Sequence, residues 1–229
     1  MTNRSPLSDF AGQLRTFMAR QAGGAQNSAA LDDREFNRLA LELFALQFTH
    51  NGPYQKFCRA RKSTPASLAR WEEIPAMPTS AFKELELTGL SPAERTAVFH
   101  SSGTTEQRPS RHFHGVESLA LYEASLRAWF KIHLVRETDV SVLFVMLTPP
   151  PALAPHSSLA HMLAAVSREF GAEKSGFTGK LDADGAWVLD GRKVMAVLER
   201  AMNAAQPVVL LGTAFSFVHL IDSLGARCF

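Results

Sequence analysis

From Thr96 onward, short apolar runs alternate with stretches of helical spacing, and this alternation constrains the fold more than any other feature of the chain. Val98, Phe99 and His100 read as a short strand, and residues 116–134 as a helix. Residues 140–147 form a buried-strand candidate closed by Pro149, Pro150 and Pro151. Residues 157–170 and 193–205 read as helices, 208–211 as a strand and 214–224 as a final helix. Crossovers of roughly 10–20 residues are too long for hairpins and suit helices. The expected class is therefore α/β, a mostly parallel sheet with crossover helices. Residues 171–191, punctuated by five glycines, read as a long excursion with a strand over 186–188. The sequence stops at Gly225-Ala226-Arg227-Cys228-Phe229, one helix after a strand, so the α/β layer is expected to be partial.

The first third is helical. Phe36, Leu39, Leu43, Leu46 and Phe48 recur near helical spacing over residues 34–49, with Asp32 or Asp33 as cap and Asn51-Gly52-Pro53 as stop. Residues 5–21 form a weaker helix, with Phe10, Leu14, Phe17 and Met18 on one face, followed by a linker from Gly23 to Ala30. Thr64-Pro65 matches an N-cap with proline at the first helical position and predicts a short helix to Trp71. Pro75 and Pro78 hold the next segment extended. The expected organisation is a helix and linker over 1–30, a helical and extended segment over 31–95, and an α/β nucleotide-binding core over 96–229.

Composition removes several function classes. With 46% hydrophobic and 20% charged residues the chain is globular. Its 24 Lys+Arg against 22 Asp+Glu leave a net charge of +2, too little for the basic face that nucleic acid demands. Cys58 and Cys228 sit in no metal-ligand spacing and make no disulfide framework, which points to a reducing cytoplasm. No run approaches the ~20 apolar residues of a membrane span. The first thirty residues contain Arg4, Asp9, Arg15 and Arg20 without the apolar core of a secretory signal.

The turn that carries chemistry is Ser101-Ser102-Gly103-Thr104-Thr105, directly after a strand. Four hydroxyls and successive backbone N–H groups around one glycine can form a concave nest for phosphate oxygens. Arg108 and Arg111 follow within one loop length, and a guanidinium offers phosphate a bidentate fork. From these residues alone, a plain Ser/Thr turn leaving a strand competes with the phosphate reading. A Walker A loop fails, because Arg108 and Pro109 stand where glycine and lysine belong, and no GxGxxG follows a strand.

Three blocks in order resemble a known family. Phe99-His100-Ser101-Ser102-Gly103-Thr104-Thr105 is similar to the phosphate loop of adenylate-forming enzymes. Trp71-Glu72-Glu73-Ile74-Pro75-Ala76-Met77-Pro78-Thr79-Ser80-Ala81-Phe82-Lys83 resembles the proline-rich stretch of LuxE-type acyl-protein synthetases. Val208-Val209-Leu210-Leu211-Gly212-Thr213-Ala214-Phe215 is similar to the strand–glycine–helix element at that family's acyl pocket. The resemblance runs from about Leu31 to the end, as the N-terminal portion of such an enzyme. It implies ATP-dependent activation of a carboxylic, fatty acid to an acyl-adenylate, with magnesium on the triphosphate and transfer to a thiol. Ser101, Ser102, Gly103, Thr104 and Thr105 would bind the nucleotide with Arg111 as charge partner, and His100, Gly212, Thr213 and Phe215 would meet the acid. A reductase or acyl-accepting protein is the implied partner. Glu106 departs from the family pattern, which usually has glycine there. Two other readings stand beside this one: a phenylacetate-CoA-ligase-like enzyme, and a non-catalytic nucleotide-binding fragment or accessory chain. No catalytic residue is assigned.

The remaining candidates have plain readings. His112 and His114 would share a strand face, with no third ligand evident, so no metal site is expected. His100 reads equally as a packed strand histidine. Ser157 and Ser158 read as helix caps, Cys58 as a packed small hydrophobe, and Asp182 and Asp184 as turn residues. Phe215 and Phe217 have core packing as their alternative. Cys228 does not match the family's acyl-carrying cysteine.

Overall fold

Asn51 both ends one helix and starts another. The computed structural model describes residues 6–22, 33–101, 108–135 and 141–225. Helix α1 (Pro6–Ala22) packs Phe10, Leu14 and Phe17 against Leu39 and Leu46 of α2 (Asp33–His50), the pairing that their helical spacing dictates. The Asn51 side chain then accepts from the Tyr54 N–H and caps α3 (Gly52–Ala60), with Pro53 in its first turn. No helix follows Thr64-Pro65. Instead the Thr64 N–H donates to Ser67 Oγ and the Ser67 N–H to the Thr64 carbonyl, closing a turn. Local side-chain bonds of this kind compete with helix, and so short a segment cannot offset nucleation. Only a single 3-10 turn forms, at Trp71–Glu73, and residues 75–78 run without helix up to α4 (Ala81–Glu84).

Strand β1 (Ala97–His100) pairs antiparallel with β2 (Arg111–His114), placing Phe99 opposite His112 and His100 opposite Arg111. The strand at Val98 therefore belongs to a two-stranded antiparallel pair and not to the parallel sheet that its position before a helix suggests. Helix α5 (Val116–Leu134) follows. Two compact units result, Met1–Ala128 and Trp129–Phe229.

The second unit holds the parallel layer. Its central strand β3 (Leu143–Met146) lies between β4 (Gly176–Phe177) and β7 (Val208–Leu211), both parallel to it. Helix α6 (Ser158–Phe170), capped by Ser157, connects β3 to β4. A small antiparallel pair, β5 (Gly179–Leu181) with β6 (Trp187–Leu189), fills the glycine-rich excursion. Helix α7 (Gly191–Asn203) leads to β7, and α8 (Ala214–Leu224) follows it.

Because β4 and β7 lie on opposite sides of β3, the two crossovers cover opposite faces of the sheet, as right-handed connections require. Leu143, Val145 and Leu147 pack with Val194 and Ala201 of α7 and Leu220 of α8. On the other face Phe144 meets Phe130 edge-on at 5.7 Å, and Phe130 stacks on Phe170 of α6 at 6.0 Å. Phe144, Met146, Leu163, Val145, Val166 and Val194 are all essentially fully buried, each worth about 1.5–3 kcal/mol. The architecture is α/β, and among the described residues its parallel part comprises three strands.

Candidate functional site

The hydroxylated turn leaves β1 and returns to β2, so the antiparallel pair holds its two ends together. At that base the Ser101 N–H donates to the Ser110 carbonyl at 3.2 Å, and the Ser110 N–H donates to Ser101 Oγ at 3.0 Å. Ser101 Oγ thus closes the loop across its neck. Ser110 is buried, and its hydroxyl lies 3.1 Å from His112 Nε2. The His112 ring in turn stacks on Phe82 at 5.0 Å and 24°. Ser102, Gly103, Thr104, Thr105 and Glu106 lie outside the described residues.

The residues leaving the loop are bracketed by the segment that follows the prolines. Arg108 pairs with Glu84 at 2.8 Å and Arg111 with Glu86 at 3.3 Å, while Phe82 supports His112. Glu86 is shared, since its other oxygen accepts from Arg95 Nη1 at 2.9 Å. Both guanidiniums lie over the Phe113 ring, Arg95 at 4.4 Å and Arg111 at 5.6 Å from its centroid. Two cations on one carboxylate leave a positive excess beside the loop's exit. The Arg108–Glu84 pair is solvent-exposed and worth only about 0–1 kcal/mol. Arg111 therefore stands beside the loop already tied to Glu86. His100 is half-buried, opposite Arg111.

The second unit places Gly212 and Thr213 where α/β sheets bind ligands. The strand order reverses around β3, which makes the carboxyl ends of β3 and β7 a topological switch point. Leu147 and Thr148 extend β3 there, and Gly212 and Thr213 extend β7. Thr213 caps α8: its Oγ1 accepts from the Ser216 N–H and lies 2.9 Å from Ser216 Oγ. A Cβ on Gly212 would lie 2.9 Å from Leu147 Cβ, so only glycine allows the two strand ends to approach this closely. Thr148 is fully buried, and its Oγ1 has no hydrogen-bond partner among the described residues. An apolar run and three prolines enclose Thr148, so nothing in the sequence marks it. Phe215 is 78% exposed and points away from the core, whereas Phe217 packs against it.

The other candidates resolve simply. Asp182 Oδ1 accepts from the N–H groups of Asp184 and Ala186, an Asx turn closing β5 onto β6. His114 packs between Phe99 and Tyr122. Cys58 is fully buried and burial pushes its thiol above its ordinary range, while Cys228 lies outside the described residues. Among the described residues no three His, Cys, Asp or Glu converge as a metal cage, and no helix is long and apolar enough to cross a membrane.

A family model described as acyl-protein synthetase, LuxE, matches residues 25–224. Comparisons with curated proteins and with solved structures return no match.

Proposed function

The chain belongs to the LuxE acyl-protein synthetase family, and from that premise we propose that it converts a fatty acid to its acyl-adenylate at the expense of ATP. The observation that carries this reading is the family match itself, which spans both the hydroxylated turn and the Gly212-Thr213 element. In this reading Ser102, Gly103, Thr104 and Thr105 cradle the β- and γ-phosphates, while Ser101 Oγ keeps the loop closed at its neck. A carboxylate oxygen attacks the α-phosphorus, the bond to the bridging oxygen breaks, and pyrophosphate leaves with that electron pair. Charge grows on the departing group, where fixed N–H and O–H dipoles stabilise it most. Arg111 adds a positive charge that Glu86 holds in position. His100, Gly212, Thr213 and Phe215 are the residues that the family likeness assigns to the acid. A thiol then attacks the acyl carbon, forming a thioester and releasing AMP. Magnesium enters as the counter-ion of the triphosphate; Glu84 and Glu86 already answer arginines, so no residue of this chain is assigned to it.

The test is carboxylate-dependent exchange of labelled pyrophosphate into ATP. Exchange that rises with added fatty acid, and that falls strongly in Gly103→Val and Thr104→Ala, is the expected result. A folded wild-type protein that gives no exchange with any acid removes the proposal.

A further inference from the structure

Arg95, in the first unit, is a firmly anchored cation that the proposed reaction does not use. Its side chain is 20% exposed, against 33% for Arg111 and 48% for Glu86. Its Nε donates to the Leu90 carbonyl at 3.3 Å, and its guanidinium lies 4.4 Å from the centre of the Phe113 ring. The turn that supplies this carbonyl is itself tied down. The Leu90 N–H donates to Thr88 Oγ1 at 3.1 Å, and Glu94 accepts from both the N–H and the hydroxyl of Ser91. From this fixed base Arg95 Nη1 meets Glu86 Oε2 at 2.9 Å.

Arg111 depends on that carboxylate. It stands two residues before Phe113 on β2, so the two side chains leave the strand on one face. The Arg111 guanidinium lies 5.6 Å from the same ring centre, and its Nη1 reaches the other Glu86 oxygen at 3.3 Å. Two like charges on one ring repel, and the shared carboxylate offsets that repulsion. Glu86 lies past the end of α4 and is half exposed, so its position is set by the cation that is anchored, Arg95. The sharing has an electrostatic consequence. A carboxylate answering one guanidinium would neutralise it, whereas one divided between two leaves part of the Arg111 charge unmatched. That charge sits next to Ser110, whose N–H closes the neck of the loop.

We propose that Arg95 is a positioning residue for Arg111: it fixes the Glu86 carboxylate and takes up part of its charge, so that Arg111 is held at the loop's exit with charge left for a phosphate. The inference rests on the reading that Arg111 meets the phosphates of the nucleotide, and deepens it. Arg95 acts through Glu86 and is assigned no contact with nucleotide or acid.

Calorimetric titration of the full chain with inorganic pyrophosphate and magnesium tests this apart from catalysis. Arg95→Met keeps an unbranched stem over Phe113 but leaves Glu86 to neutralise Arg111 alone, so affinity should fall about two- to fivefold. Arg95→Gln is a second neutral variant and should behave alike. Adding Glu86→Gln to Arg95→Met removes the neutralising carboxylate, and affinity should return to within about twofold of the wild type. In an Arg111→Met background, Arg95→Met should change affinity no further, because its effect passes through Arg111. Thermal melts establish that each variant is folded. Both Arg95 variants binding as the wild type does overturns the proposal. A loss that Glu86→Gln does not restore also overturns it, since Arg95 would then act through packing alone. So does an equal loss in the absence of Arg111, which would reveal only long-range charge, and so does a wild type without affinity for pyrophosphate. A cycle that behaves as expected in a protein giving no carboxylate-dependent exchange supports the proposal and rejects only the adenylation reading. Exchange in the wild type, with pyrophosphate binding indifferent to Arg95, rejects the proposal and leaves adenylation standing.

Discussion

Replacing Gly179 by alanine should destabilise the edge that carries Thr148, and the structure sets the size of the effect. A Cβ at Gly179 would lie 2.3 Å from the Thr148 carbonyl carbon, 2.5 Å from Pro149 N and 2.7 Å from the Thr148 oxygen. All three are backbone atoms, so no side chain can swing aside. Restoring an ordinary contact of 3.4 Å needs about 1 Å of backbone movement. That movement breaks the bond from the Gly179 N–H to the Thr148 carbonyl, now 3.1 Å long. Overpacking of this kind costs about 1–3 kcal/mol, and the lost hydrogen bond about 0.5–1.5 kcal/mol. The melting temperature should fall by about 5–15 °C for a chain of this size. Gly176, three residues earlier, is the internal control, because a Cβ there meets nothing within 4 Å. Gly176→Ala should be neutral or stabilise by about 0.4–1 kcal/mol through the unfolded state. Scanning calorimetry of the two variants beside the wild type gives the contrast. Equal melting of Gly179→Ala and wild type, or equal losses at both glycines, would show that the close approach of β3 and the Thr178-Gly179 segment is wrong.

Three further outcomes are expected. Glu84→Gln removes the carboxylate that competes for Arg108, so ATP should bind up to about fivefold more tightly by equilibrium titration; weaker binding would mean that Glu84 positions Arg108 for the nucleotide. Asp190 caps α7, and its bond from the Lys193 N–H holds its carboxyl below the ordinary aspartate range. Its stabilising contribution is therefore present at neutral pH and lost as pH falls through that lowered value, whereas Asp190→Asn should show a flatter acid limb in a series of thermal melts. Cys58 is buried and its thiol is raised by that burial, so peptide mapping should find it unlabelled by a thiol reagent until the protein unfolds; rapid native labelling would contradict its packing.

Long periodic segments were legible because burial and local preference agree in them. The strand over Val208–Leu211 and the helix over Ala214–Leu224 have the boundaries that their apolar pattern predicts, and Ser157 caps α6 as its position before the helix suggests. The pairing of β1 was not legible: Arg111-His112-Phe113-His114 offers a single hydrophobe, so its strand forms through contact with Phe99, Tyr122 and Phe82 and not through propensity. Asn51-Gly52-Pro53 reads as a stop in the sequence, although asparagine at a cap and proline in the first turn are equally a start, and here they open α3. Within the candidate site, Gly212 and Thr213 were visible from a strand meeting a glycine and a hydroxyl. The bracket of Phe82, Glu84 and Glu86 on residues 108–112 was not, because it joins segments more than twenty residues apart.

Labelled oxygen gives the most direct measurement of the central claim. A fatty acid carrying heavy oxygen in its carboxylate is incubated with ATP, the protein and hydroxylamine as acyl acceptor, and the nucleotide products are weighed by mass spectrometry. Formation of an acyl-adenylate predicts one heavy oxygen in the phosphate of AMP, greatly reduced in Gly103→Val. Release of ADP with the label in inorganic phosphate would instead mean attack at the γ-phosphorus and would contradict the reading of the hydroxylated turn as a pyrophosphate cradle.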